Sequence, residues 1–184
     1  MESKALRQFF RFLNRFFMAP VFRLGLGPFM GNPLSGYIMV LKTVGRKSGK
    51  LRYSPVNYAI LGGYVYCLAG FGQVAHWYRN LLAKPQIEAI LPGGAIAGVA
   101  ERVDDAAERL RVARQILRNS GFAGFLAGLN AFRVTDAELE EKTKDYPVIR
   151  IRPTGIGSGA GDAGGWLWVL GVMVTVLLLW LILR

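Results

Sequence analysis

The chain has 184 residues, enough for one domain with a modest core plus an appended segment; 52% of them are apolar and the formal net charge is +11. A single cysteine, Cys67, excludes an internal disulfide and fits a reducing compartment. The charge is concentrated: residues 1–52 hold ten Lys and Arg against one acid, Glu2, and the remainder is nearly balanced.

Along the chain, the opening MESKALRQFFRFLNRFF is broken by Arg7, Arg11 and Arg15, so it lacks the continuous apolar run of a cleavable signal peptide. Phe9, Phe10, Phe12, Leu13, Phe16 and Phe17 form one face of a predicted helix whose other side carries Lys4, Arg7, Arg11 and Arg15. Such a basic amphipathic segment, residues 1–32, either lies on an anionic bilayer surface or covers one end of a barrel with its cations solvated. Strand character begins at Tyr37: residues 37–44, 51–61 and 64–69 are rich in β-branched and aromatic types, with Gly62-Gly63 as a tight connection. A short helix follows from Ala75 to Ala83, stopped by Pro85. QIEAIL and AIAGVAERV bracket Pro92-Gly93-Gly94 as another hairpin. An amphipathic helix spans Asp104 to Asn119, TDAELEEKTKD is a short polar helix, and residues 146–152 are a last strand. Strands outnumber helices, and residues 33–152 are expected to form a mainly β domain, a small barrel flanked by helices.

Beyond it, residues 153–165 have the Gly/Ser composition of a flexible tether. Residues 166–183 carry no charge, and Trp166, Trp168 and Trp180 lie near the two ends. At 1.5 Å per residue they would reach about 27 Å, so the expectation is one transmembrane helix within 166–184, a single-pass membrane protein with its domain on the cytoplasmic side and the lipid bilayer as a partner.

The first glycine loop, GRKSGK between two strands, holds more charge than a turn needs. Without G-x-x-x-x-G-K-[ST] and a following helix it is not a Walker A loop. Nucleic acid is set aside, because the positive charge continues into the N-terminal helix and the chain carries an apolar tail. An anionic small molecule suits the loop better: backbone N–H groups around Ser48 and Gly49 face phosphate oxygens while Arg46, Lys47 and Arg52 supply charge, and a solvated hairpin tip is the alternative. Ser54 and Asn57 follow on the next strand. AGFGQVAHWYRN is a second glycine loop entering a helix. No metal-ligand set is read from the sequence.

Together TVGRKSGKLRYSPVNY and HWYRNLLAKPQIE, with FFMAPVFRLGLGPFMGNP upstream, resemble the deazaflavin-dependent nitroreductase family, also described as deazaflavin-dependent quinone reductases. The likeness runs from about Phe16 to Arg152. It implies a split β-barrel and the cofactor 8-hydroxy-5-deazaflavin (coenzyme factor 420), with a phosphate and an oligoglutamate tail. By the same resemblance Arg46, Lys47, Ser48 and Arg52 match the anion clamp. Ser54, Pro55, Val56 and Asn57 match the strand lining the ring, Ala69, Gly70 and Gly72 the backbone loop near it, and Trp77, Tyr78 and Asn80 the helix that closes it.

The implied activity is hydride transfer to a quinone or another small hydrophobic acceptor, with Phe122, Phe125, Leu126 and Phe132 as the acceptor wall or as ordinary packing. Nitroreductase members carry tyrosines in that region, whereas residues 119–134 contain none, so the proton comes from water, Tyr78 or His76. The alternatives are an accessory subunit of a larger membrane complex that keeps the barrel as scaffold, and a barrel holding flavin mononucleotide or haem instead.

Overall fold

Six runs of β-branched and aromatic residues form strands: β1 (Ile38–Val44), β2 (Leu51–Leu61), β3 (Tyr64–Leu68), β4 (Gln86–Leu91), β5 (Gly94–Arg102) and β6 (Val148–Ile156). They belong to a computed structural model that describes residues 8, 12–24, 26, 31–32, 36–121, 124, 130, 132–159 and 167–184. Every pairing is antiparallel, the order is β1-β2-β3-β6-β5-β4, and β4 pairs back onto β1 to close a barrel. The β2–β3 turn needs Gly62 and Gly63, whose φ angles of 57° and 81° suit the primed turn of a two-residue hairpin.

Met39, Leu41, Val65, Cys67, Ile87, Ala89, Ile149 and Ile151 bury as one inner cluster, and burial pushes the Cys67 thiol up. Helix α2 (His76–Ala83) adds Tyr78 and Leu81 to that cluster. Outside the barrel, α3 (Ala106–Arg118) lays Val112 and Ile116 on Ala59, Tyr66 and Val148, and its N-cap Asp105 accepts from the Glu108 N–H. Helix α4 (Asp136–Thr143) starts with a Thr135/Glu138 capping box and buries Leu139 against Ala113 and Leu117.

At the N-terminus a π-helical stretch, Asn14–Met18, continues into α1 (Ala19–Arg23). Met18 and Phe22 bury against Ile38, Val40 and Ile90 on the outer barrel surface. Phe12, Phe16 and Phe17 stay exposed, with the Phe12 and Phe16 rings 4.9 Å apart; Phe9 and Phe10 lie outside the described residues.

Two expectations need correction. The last strand does not end at Arg152 but runs to Ile156, and Pro153 pairs with Gly98 at a register shift. A proline without an N–H fits where a bulge interrupts the ladder. A Cβ on Gly98 would come within 2.7 Å of Ile151 Cγ2 and 2.9 Å of the Arg152 carbonyl oxygen, so glycine is required for this approach.

The second correction concerns the transmembrane helix. Helix α5 (Leu167–Ile182) has 16 residues, about 24 Å, short of a hydrocarbon core of about 30 Å. Leu183 N–H closes the last turn on the Leu179 carbonyl at 3.0 Å, and Trp166 lies outside the described residues. Among the described residues no helix is long and apolar enough to cross a membrane. The span at 166–183, the single-pass localisation and the bilayer as partner are overturned by that finding, and the membrane-complex subunit loses the span it was built on.

Candidate functional site

The β1–β2 connection is a tight loop. Gly45 N–H donates to the Lys50 carbonyl and Gly49 N–H to that of Gly45, both at 2.8 Å. Gly49 takes φ 66°, and a Cβ on Gly45 would stand 2.9 Å from Ser48 Oγ. The chain therefore turns sharply enough to leave Lys47, Ser48, Lys50 and Arg52 exposed. Ser48 Oγ lies 3.4 Å from both Lys50 N and Arg52 Nη2. None of Arg46, Lys47, Lys50 and Arg52 has an acidic partner among the described residues.

Arg46 behaves differently from the other three cations. Its backbone N–H donates to Asn80 Oδ1 at 3.2 Å and its Nη1 donates to the same oxygen at 3.1 Å. Arg46 and Asn80, 34 residues apart in sequence, thus tie the basic loop to α2 at one side-chain oxygen. Asn80 is 5% exposed, which leaves its amide oxygen to the protein rather than to solvent.

Strand register sorts the four β2 positions. Arg52, Ser54 and Val56 pair with Thr43, Leu41 and Met39, so they share the inner face; Pro55 and Asn57 pair with Val40 and Ile38 and share the outer one. Val56 packs against the inner cluster, as do Tyr58 and Trp77. Asn57 Nδ2 donates to the Tyr37 carbonyl at 3.3 Å. The inner face thus carries Arg52, Ser54, Val56 and Tyr58 in a row, a rise of about 20 Å. Burial pushes the Tyr58 phenol up, and Tyr37 adds to the shift. Thr43 Oγ1, buried opposite Arg52, has no hydrogen-bond partner among the described residues.

The second glycine loop spends its donors internally. Ala69 N–H goes to the Pro147 carbonyl, Gly70 N–H to that of Leu68 and Gly72 N–H to that of Ala69. Space beside Gly70 is open, whereas a Cβ on Gly72 would lie 3.2 Å from the Asp145 carbonyl oxygen. On α2, Trp77 is half-buried, His76 is exposed, and Tyr78 is 2% exposed within the core. Phe132 is 79% exposed; Phe122, Phe125 and Leu126 lie outside the described residues. Among the described residues no group of three or more His, Cys, Asp or Glu is placed to hold a metal ion.

One charged cluster escapes the sequence reading. Lys42 Nζ donates to Glu88 Oε1 at 3.2 Å, Ser158 Oγ at 2.8 Å and the Gly159 carbonyl at 3.1 Å, while Ser158 Oγ and Gly159 N–H donate to the Glu88 carboxylate. Burial pushes the Glu88 carboxyl up, but these hydrogen bonds and the Lys42 charge outweigh it and hold it below the usual carboxylate range. The available signal was a lone lysine in IMVLKTV and a lone glutamate in QIEAIL, each the only charge of an apolar strand.

Residues 20–124, more than half of the chain, match the family model described as F420H(2)-dependent quinone reductase. Among solved structures the chain is similar to an F420 reductase, with 22% identity over 70% of this chain and 92% of that one and a TM-score of 0.44. It is similar to an F420-H2 dependent reductase, FDR-A, with 21% identity over 62% and 92% and a TM-score of 0.43. A conserved hypothetical protein from Mycobacterium tuberculosis shares 18% identity over 64% and 72%, with a TM-score of 0.47. Among curated proteins none matches.

Proposed function

This chain belongs to the F420H(2)-dependent quinone reductase family, and from that membership we propose that it passes a hydride from reduced coenzyme F420, the 8-hydroxy-5-deazaflavin, to a quinone or a similar small hydrophobic acceptor. A deazaflavin-dependent reductase using F420 follows from the family itself; the quinone and the residues that hold each partner are our reading.

The observation that carries it is the convergence of Arg46 and Asn80, which ties the basic loop leading into β2 to helix α2. The residues present fit the cofactor. Three exposed cations, Lys47, Lys50 and Arg52, are left unneutralised by the described part of the chain, the complement of a phosphate and carboxylate tail. Ser54 and Val56 would line the ring from the inner face, with half-buried Trp77 as the opposing wall. Pro55 and Asn57 are assigned to support of the strand, since they share its outer face. Bound in its reduced form, the deazaflavin supplies the hydride. The chain's own part is to orient the ring, exclude water and admit the acceptor. A quinone that takes a hydride needs one proton to become hydroquinone, and exposed His76 or water would provide it; Tyr78 is enclosed by the core.

Fluorescence titration with oxidised F420 tests the reading. Saturable binding that weakens strongly in the Lys47→Ala, Arg52→Ala double variant is the expected result, followed by F420H2 oxidation when a naphthoquinone is added. Affinity unchanged by the double variant would remove the loop from the site.

A further inference from the structure

Arg46 and Asn80 also define a division of labour within the loop that the charge count alone conceals. The Arg46 guanidinium is turned toward α2 and held by a buried amide oxygen, which simultaneously fixes the loop backbone at Arg46 N–H. Of the loop's cations it is the half-buried one, while Lys47, Lys50 and Arg52 are exposed. On the helix, Asn80 stands three residues after Trp77, the spacing that makes two side chains neighbours on one face. The residue that holds Arg46 therefore shares a helix face with the aromatic wall.

We infer that Asn80 is a positioning residue for the anionic tail: its side-chain oxygen holds the loop in the shape that presents Lys47, Lys50 and Arg52, and Arg46 is the structural cation of that contact rather than a ligand of the tail. The inference rests on the cofactor-site reading above and deepens it. Loss of the Asn80 oxygen releases the loop at two donors while leaving every exposed cation in the sequence. Tail recognition should suffer, and ring recognition by Ser54, Val56 and Trp77 should not.

The test titrates wild type, Asn80→Leu and Asn80→Asp by fluorescence with two oxidised probes: F420 with its glutamate tail, and the deazaflavin core without phosphate or glutamate. Leu keeps similar bulk and removes the acceptor, whereas Asp keeps an acceptor for both Arg46 donors. Asn80→Leu is expected to bind F420 about tenfold more weakly and the core within about twofold of wild type, and Asn80→Asp to stay within about threefold for both. Equal losses for the two probes, or no loss for F420, would overturn the positioning role. Should Asn80→Leu fail to fold, Asn80→Ser, too short to reach both donors, is measured the same way. Wild type with no saturable F420 binding would instead overturn the site assignment itself, and the positioning role with it.

Discussion

Lys42 and Lys47 lie on one hairpin, yet Lys42 is 8% exposed and surrounded by the oxygens of Glu88, Ser158 and Gly159, while Lys47 is exposed and has no acidic partner among the described residues. A cation that its own chain neutralises contributes to the fold. One that its own chain leaves open contributes nothing measurable to the fold and is available to an anion. The +9 of residues 1–52 is therefore not one basic patch, because at least Lys42 and Arg46 are committed internally.

The largest effect is expected from Lys42→Met. Removing the cation of a largely buried pair leaves the Glu88 charge with only its Ser158 and Gly159 hydrogen bonds, and a loss of about 3 kcal/mol in unfolding free energy is expected by urea titration. The fluorescence affinity for F420 should be unchanged; a loss of affinity without a loss of stability would erase the distinction. The reverse pattern belongs to Lys47→Ala plus Arg52→Ala: a loss of about 2 kcal/mol in F420 binding, roughly thirtyfold, with the urea midpoint where it was.

Acid sharpens the same contrast. The folded Glu88 carboxyl titrates below its ordinary value of 4.5, so the stabilisation it gives is complete above pH 4.5 and is lost as the pH falls through the depressed folded-state value. Wild type should therefore lose its stability advantage over Glu88→Gln as the pH drops below 4.5, measured by paired urea titrations. A constant advantage down to pH 3 would mean the pair is not a charged one. Smallest is Gly45→Ala. Its new methyl would crowd Ser48 Oγ, a side chain free to rotate away, and the Lys50 carbonyl at 3.2 Å; a cost of about 0.5–1 kcal/mol in stability is expected by thermal melting.

How much of this was legible follows the physics of each segment. The bounds of β2 and β4 could be read directly, because β-branched and aromatic runs ended by glycine turns or proline have few other solutions. Helix α2 was readable to one residue for the same kind of reason, with Pro85 just beyond its end. The tail of β6 was not, since Pro153 and Gly155 look like a tether until Gly98 on the partner strand supplies the bulge that accepts them. Pairing decides that, and pairing is not local. Likewise the loop's cations were visible as types, but the partner of Arg46 lies on another element, at Asn80, and strand pairing separates the face of Ser54 from that of Asn57. The apolar tail shows the opposite failure: composition matched a span, and the helix formed there is too short to be one.

The strand order carries a last consequence, for synthesis. Five strands are complete once Arg102 has been made, and they can assemble as an open sheet, β3-β2-β1-β4-β5, whose two outer strands each lack a neighbour. The sixth, Val148–Ile156, fits between those two and zips both at once. A ribosome must therefore translate nearly the whole domain, including helices α3 and α4, before the interior can be sealed from water. Until then the nascent chain offers a pair of unpaired strand edges to whatever is nearby, which makes the final strand the step at which this protein becomes safe from its neighbours.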